Sequence, residues 1–460
     1  QPGIRSEFTC RSASSGITTR CEGCARTRAL PDTLLKTSSV VSEGARRYTL
    51  GILAVVYMFN FVDRQLPAIL LPAIRAEFLV SDTMLGLLVG TAFALFYSIL
   101  GVPIALLADR WNRRNLIAIA LAVWSGMTAL SGLAANFWQL ALARVGVGVG
   151  EAGCSPPAHS MIADLYPPEQ RSTAMGVYTL GISAGIMLAY IAGGWVVENI
   201  GWRQAFFIVG VPGILLAILF RATVKEPPRG HSEDRTDHGE HPAIGEVFKL
   251  LLSRKAFLHM AVGAGLSSFA GYAAISWFPS FLTRSFEGNF VLLNVQLGLI
   301  LGIAGGFGFF MGGYLADFFG RTRQRNAMWF IAATQFAAVF ASIGVYLSWS
   351  AQMALLMFIV PVVISNLYLA PVLAQTQSLV PLRMRGVASA IVLLIINLIG
   401  YAMGPPAVGA LSDYLAPTMD NESLRYALLI GVSVVTIWAA LHYFLASRFI
   451  EDDLAQAREV

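Results

Sequence analysis

Twelve apolar stretches, each long enough to cross the ~30 Å hydrocarbon of a bilayer as a helix, constrain what this 460-residue chain can fold into. They lie near residues 49–71, 84–107, 115–134, 137–158, 173–197 and 204–222, then 257–282, 294–315, 326–347, 353–379, 386–411 and 425–447. A polar interval, Lys225 to Lys255, separates the first six from the last six and contains EPPRGHSEDRTDHGEHP. The pattern predicts an all-α membrane protein with twelve transmembrane helices in two six-helix bundles. The expected organisation is a disordered or tail segment over 1–47, an N-terminal bundle over 48–222 and a cytoplasmic linker over 223–255. A C-terminal bundle over 256–447 and a cytoplasmic tail over 448–460 follow.

Composition agrees with lipid as the outer solvent. The chain is 56% hydrophobic and 13% charged, about half the charge of a soluble domain, with a mean hydropathy of +0.64. A net charge of +5, carried by short Arg/Lys tracts between apolar runs, gives no basic face for nucleic acid. Cys21 and Cys24 have metal-site spacing, but no second Cys or His pair completes a zinc site, and nothing implies disulfides. The first ~28 residues are polar and aperiodic, with no signal-peptide pattern, and are read as tail.

Cation distribution predicts orientation. Arg110, Arg113 and Arg114 follow the second span, Arg321, Arg323 and Arg325 follow the eighth, and Arg383 and Arg385 precede the eleventh. The alternate loops hold single cations: Arg75, Arg203, Arg284 and Arg425. The positive-inside rule then makes both termini and the linker cytoplasmic.

The stretch Gly148-Val149-Gly150-Glu151-Ala152-Gly153 spells a dinucleotide-binding motif. That motif requires a strand before its first glycine and a helix opening at its last. Here Phe137 to Leu142 lead into it inside an apolar span, so the context excludes a nucleotide loop. Small residues at four-residue spacing instead let membrane helices approach closely. Gly146 and Gly150 have that spacing, as do Gly181 and Gly185, and Gly298, Gly302 and Gly306.

Charges inside the spans are costlier to explain as packing, at ~2.5–3.5 kcal/mol or more for each at a helix centre. Asp63 and Arg64 lie in span one, Arg144 and Glu151 in span four. Arg144 and Glu151, seven residues apart, share a helix face with ~10.5 Å between them in height. Asp63 and Arg144 are expected at similar depth, with Glu151 about two turns further in. The four are expected to meet in a watered cavity, either as a static ion network or as a proton-linked switch in which a protonated carboxylate frees its arginine. The C-terminal spans offer no matching charges, only Asn366, Gln375, Gln377 and Asn397, with His259 near an interface. This asymmetry suits an amphipathic cargo. Ser160 beside His159 has no orienting partner, so no enzyme is expected, and a non-transporting receptor would leave the repeated loops unexplained.

Those loops carry a family resemblance. Leu106-Leu107-Ala108-Asp109-Arg110-Trp111-Asn112-Arg113-Arg114 follows span two, and Gly313-Tyr314-Leu315-Ala316-Asp317-Phe318-Phe319-Gly320-Arg321 follows span eight. Pro168-Glu169-Gln170-Arg171 before span five parallels Pro381-Leu382-Arg383-Met384-Arg385 before span eleven. Repeated halves suggest a secondary transporter with its site between them. The loops resemble the signature of the major facilitator superfamily, although Ala105 and Asn112 replace glycines in the first copy. The segments FNFVDRQLPAILLP and RVGVGVGEAGCSPPAHSMIADLYPPEQRSTAMG are similar to the spinster group, in its bacterial form.

The resemblance implies a monomeric carrier in a bacterial inner membrane, embedded among membrane lipids, with no cofactor and a proton gradient as energy source. Its implied cargo is a sphingolipid or lysophospholipid; a small organic anion drawn by Arg64 and Arg144 is the alternative. It implies coupling through the Asp-Arg pair of span one and the Glu of span four. It also implies that Asp109 faces the start of span eleven near Gly386 and Asp317 the start of span five near Ser172. Arg110, Arg113, Arg321 and Arg323 would pair with acids across the cytoplasmic gap, closing it in the outward-facing state.

Overall fold

In a bilayer no water satisfies backbone polar groups, so each apolar run closes its hydrogen bonds within itself as a helix. The computed structural model describes residues 42–228, 244–381 and 384–458, and those from Glu43 onward fall in one compact unit. Cys10, Cys21, Cys24 and most of the linker lie outside the described residues, as do residues 382 and 383.

The first half contains α1 (Glu43–Phe78), α2 (Asp82–Val89) continuing as α3 (Thr91–Arg110), and α4 (Arg113–Ser131). It goes on with α5 (Phe137–Glu151), α6 (Ser155–Leu165), α7 (Pro168–Asn199) and α8 (Trp202–Thr223). A short helix, α9 (Ile244–Ser253), precedes the second half. That half contains α10 (Lys255–Ser285), α11 (Phe290–Leu299), α12 (Gly305–Gly320), α13 (Gln324–Tyr346), α14 (Ala351–Ile364) and α15 (Leu369–Ser378). It closes with α16 (Arg385–Ile395), α17 (Gly404–Met419) and α18 (Ser423–Arg458). Widened π-type turns at Ile300–Ala304 and Ile396–Ala402 join α11 to α12 and α16 towards α17.

Among the described residues ten helical segments are long and apolar enough to cross a membrane. The last, Arg385–Ala457, contains α16 through α18 and so two crossings. The fourth crossing is missing from that number because it is broken into α5 and α6. The break has a local cause. Pro156 and Pro157 lack N–H donors and their rings clash with carbonyls one turn earlier, so the helix stops at Glu151, turns, and restarts at Ser155. Gly148 and Gly150 therefore lie in α5, and Gly153 in the turn. At the other end α18 runs as one helix to Arg458, past the expected boundary at 447.

The spaced glycines are close-approach points. A Cβ on Gly181 would stand 2.6 Å from the Ala54 carbonyl oxygen of α1, and one on Gly298 would stand 2.9 Å from Tyr190 Cβ across the two halves. At Gly150 it would lie 2.7 Å from the backbone nitrogen of Trp124 on α4. Gly150→Val is therefore expected to destabilise the protein by about 1–3 kcal/mol through overpacking. Thermal unfolding in detergent measures it, and an unchanged midpoint would show that α4 and α5 are not in this contact.

Candidate functional site

The four charged residues of spans one and four all lie inside the N-terminal half. Asp63 is 1% exposed, Arg64 8%, and Arg144 and Glu151 0%. Side chains on a helix lean towards its N-terminus. On α1 this carries the Arg64 guanidinium back from its Cα, bridging the expected difference in depth to Glu151. Arg64 Nε donates to Glu151 Oε2 at 2.7 Å. Glu151 is the last residue of α5, where unpaired carbonyls leave partial negative charge. That field favours the nearby cations and opposes a second negative charge.

Asp63 faces elsewhere, as successive helical residues must. Its Oδ1 accepts a hydrogen bond from Thr128 Oγ1 of α4 at 2.6 Å. Arg144 has no hydrogen-bond acceptor at any guanidinium nitrogen among the described residues, although Asp63 and Glu151 lie within electrostatic reach. An aromatic shell holds the cations. The Arg64 guanidinium carbon sits 4.3 Å from the Tyr97 ring centre, 5.0 Å from Phe61 and 5.1 Å from Phe93, and that of Arg144 sits 5.4 Å from the same Phe93. Such contacts are worth about 2 kcal/mol when desolvated.

The shell continues into the C-terminal half. Phe93 lies 5.4 Å from Tyr401, which stacks on Tyr272 at 4.2 Å between ring centres. In this conformation the four groups are therefore packed rather than opening on a shared watered cavity. A cavity of about 420 Å³ is instead lined by Gln324, Gln375, Ser378 and Arg385 in the C-terminal half.

The polar candidates of that half are dispersed. Gln375 donates to Gln324 Oε1 at 2.5 Å on the cavity wall. Asn366, in the turn between α14 and α15, donates to the Val362 carbonyl of α14 at 2.8 Å. Asn397 is half-buried in the widened turn before α17. His259 meets His442 of α18, Nδ1 to Nδ1, at 3.1 Å.

On the side of the linker, Arg113 pairs within its own half in this conformation; the cross-half pairing expected of it belongs to the outward-facing state. Arg113 is 1% exposed and pairs with Asp164 and, at 2.8 Å, with Glu226; it also donates to Ser160 Oγ and the Pro227 carbonyl. All four partners belong to the N-terminal half and the chain leaving α8. Arg110, Asp317, Arg321 and Arg323 are exposed; Arg321 covers Phe318 at 5.7 Å, and Arg323 leads into α13. Asp109 lies in the last turn of α3, and its side chain is outside the described residues.

The side opposite the linker carries contacts that single-residue inspection of the sequence did not find. Asp82 takes Arg284 bidentately at 2.6 and 2.7 Å and Ser412 Oγ at 2.7 Å. Asp413 of α17 accepts from the backbone N–H groups of Asp82 and Thr83 at 2.9 and 2.8 Å, and from Thr83 Oγ1 at 2.5 Å. A carboxylate of one half thus caps the first turn of α2 in the other, where the helix dipole favours it. These acids stand at span ends, where charge is unremarkable, so only their positions opposite Arg284 and α2 reveal them.

Two six-helix halves latched at one side, with buried charges in one half beside their interface, define a membrane carrier. A family model described as Major Facilitator Superfamily matches residues 53–405, and the chain belongs to that superfamily. Within it the protein is a transporter of the spinster type, and its homologues are transporters, not enzymes. It is 32% identical to an MFS-type efflux pump of Mycolicibacterium smegmatis, over 93% of this chain and 99% of that protein. It is 28% identical to Protein spinster homolog 1 of Xenopus laevis, over 88% of this chain and 81% of that one. Among solved structures, a bacterial homolog to the human lysosomal transporter Spinster, inward-facing and unoccupied, superposes with a TM-score of 0.81 at 32% identity, covering 90% of this chain and 99% of that chain. A D-xylose-proton symporter, at 18% identity and a TM-score of 0.63 over 85% and 97% of the two chains, shares the fold.

Proposed function

We propose that this transporter is a proton-linked secondary carrier working by alternating access, and that its cargo is an amphipathic, lipid-like molecule such as a sphingolipid or lysophospholipid. One observation carries the reading: Arg64 holds Glu151 while Arg144, also buried, has no hydrogen-bond acceptor among the described residues. An unpaired buried guanidinium is costly, and its natural complement is an anion that arrives in another state. Protonating Glu151 releases Arg64; protonating Asp63 removes the other charge that balances Arg144. Either step lets an arginine take a carboxylate or the anionic head of a cargo. The aromatic wall of Phe93, Tyr401 and Tyr272 suits the apolar part, with Asn366, Gln375 and Asn397 as polar candidates in the C-terminal half.

The positive-inside pattern favours a cytoplasmic linker and cytoplasmic termini, and the membrane proposed is a bacterial inner membrane. The latched side is then external and the conformation inward-facing. In the alternate state Asp109, Arg110, Asp317, Arg321 and Arg323 close the cytoplasmic side as residues 48–222 and 256–447 move as two bodies. No cofactor is needed beyond the proton gradient, and a monomer suffices because both halves are in one chain. The unpaired Arg144 equally favours a small organic anion, which is the second reading.

Flux into proteoliposomes, with lysolipids and small carboxylates compared with and without a pH gradient, separates the two. Lysolipid movement is expected, and with one proton coupled, one unit of pH gradient sustains about a tenfold cargo gradient. Glu151→Gln and Asp63→Asn are each expected to bring that ratio towards unity. Full pH response in both variants would remove these residues from the coupling, and carboxylate flux alone would establish the second reading.

A further inference from the structure

The helix α9 has an apolar face wider than the protein covers. At about 100° per residue, Val247, Leu251, Ile244, Phe248 and Leu252 fall in one arc of about 140°. Gly245, Lys249, Ser253 and Glu246, all exposed, occupy the opposite side. Val247 and Leu251, with Leu250 half-buried beside them, pack in a cluster with Ala256, Met384, Ile450 and Leu454 at the linker-side ends of α10, α16 and α18. Ile244, Phe248 and Leu252 remain 44, 46 and 46% exposed.

The height of this helix is set by its neighbour. It ends at Ser253, Arg254 is extended, and α10 begins at Lys255, so a single residue, two Cα steps of about 3.8 Å each, links it to a membrane-crossing segment. On α10, Leu258 is exposed as well, at 39%. Lys249 and Lys255 are exposed, and Glu246 is the sole acid on α9. An apolar flank with lysine at its edge is the pattern of helices lying in a lipid headgroup layer.

We infer that α9 lies in the membrane surface on the linker side, with Ile244, Phe248 and Leu252 seated among lipid chains and Lys249 facing headgroup phosphates. The helix thereby anchors the start of the second half to the bilayer. This anchoring is independent of what the transporter carries.

Photo-crosslinking of the full-length protein in phosphatidylglycerol-containing vesicles tests it. p-Benzoylphenylalanine is placed at Phe248, separately at Leu252, and at Glu246 and Ser253 as controls, with adducts identified by mass spectrometry. Lipid adducts are expected at 248 and 252 at roughly five times or more the control yield, as for an inserted flank. Equal yields at all four positions would overturn the proposal. So would crosslinks from 248 and 252 to residues 229–243 or to a second protein, since either would then be the cover of this face.

Discussion

Replacing Glu151 by Ala is expected to lower the stability of the protein by about 3–5 kcal/mol, the usual cost of removing one partner of a buried ion pair. The change leaves Arg64 and Arg144 buried with Asp63 alone to balance them, and Asp63 is held by Thr128. Removing both partners, as in Arg64→Met with Glu151→Leu, leaves one acid and one base and fills the volume with apolar atoms. That double variant is expected to regain most of the loss, because replacing a buried pair by packed apolar residues is often neutral. Thermal unfolding of wild type, Arg64→Met, Glu151→Leu and the double variant forms the cycle. A coupling energy near zero would mean that the 2.7 Å contact between Arg64 and Glu151 contributes nothing to the folded state. Stability regained without transport would separate the pair's structural role from the role in coupling proposed for it.

The second large effect is expected at the latch. Asp82→Ala strands Arg284 and removes the acceptor of Ser412. Truncating one member of a buried, hydrogen-bonded charge pair costs about 2–5 kcal/mol, and here the loss falls on the latched conformation, because opening returns Arg284 to water. At one tenfold step per ~1.4 kcal/mol, the ratio of latched to open molecules should fall by roughly thirtyfold or more. Distances between spin labels in the α1–α2 and α17–α18 connections report it. Asp413→Asn should shift the same way by a smaller amount, since it weakens only the cap on α2. Under the proposed gate, Asp109→Asn should shift the population in the opposite direction. Unchanged label distances in Asp82→Ala would show that packing, such as that of Gly298 on Tyr190, holds this side by itself.

Much of this protein is legible along the chain because lipid tests each segment separately. A bilayer of fixed thickness makes apolar length a direct statement about crossings, and the penalty on intramembrane charge makes Asp63, Arg64, Arg144 and Glu151 conspicuous before any fold is known. The glycines were equally legible, since four-residue spacing has one use in a membrane helix. The break after Glu151 was latent in Pro156-Pro157, although an apolar window reads straight through it. The turn at Ser365–Tyr368, between α14 and α15, was latent in the same way in Pro371, whose ring clashes with the Leu367 carbonyl one turn earlier.

Partnership was beyond local reading. Spacing placed Asp63 and Arg64 on different faces, but only helix packing brings Arg64 to Glu151, 87 residues away, and Asp63 to Thr128, 65 away. Asp82 and Asp413 look like ordinary polar ends of spans until the two halves set them together across more than 300 residues. The sequence by itself determined the crossings, the buried charges and the small-residue seams, because these answer to the solvent around each helix. Tertiary structure alone decided which carboxylate meets which guanidinium, because lateral packing, unlike insertion into lipid, depends on every neighbouring helix at once.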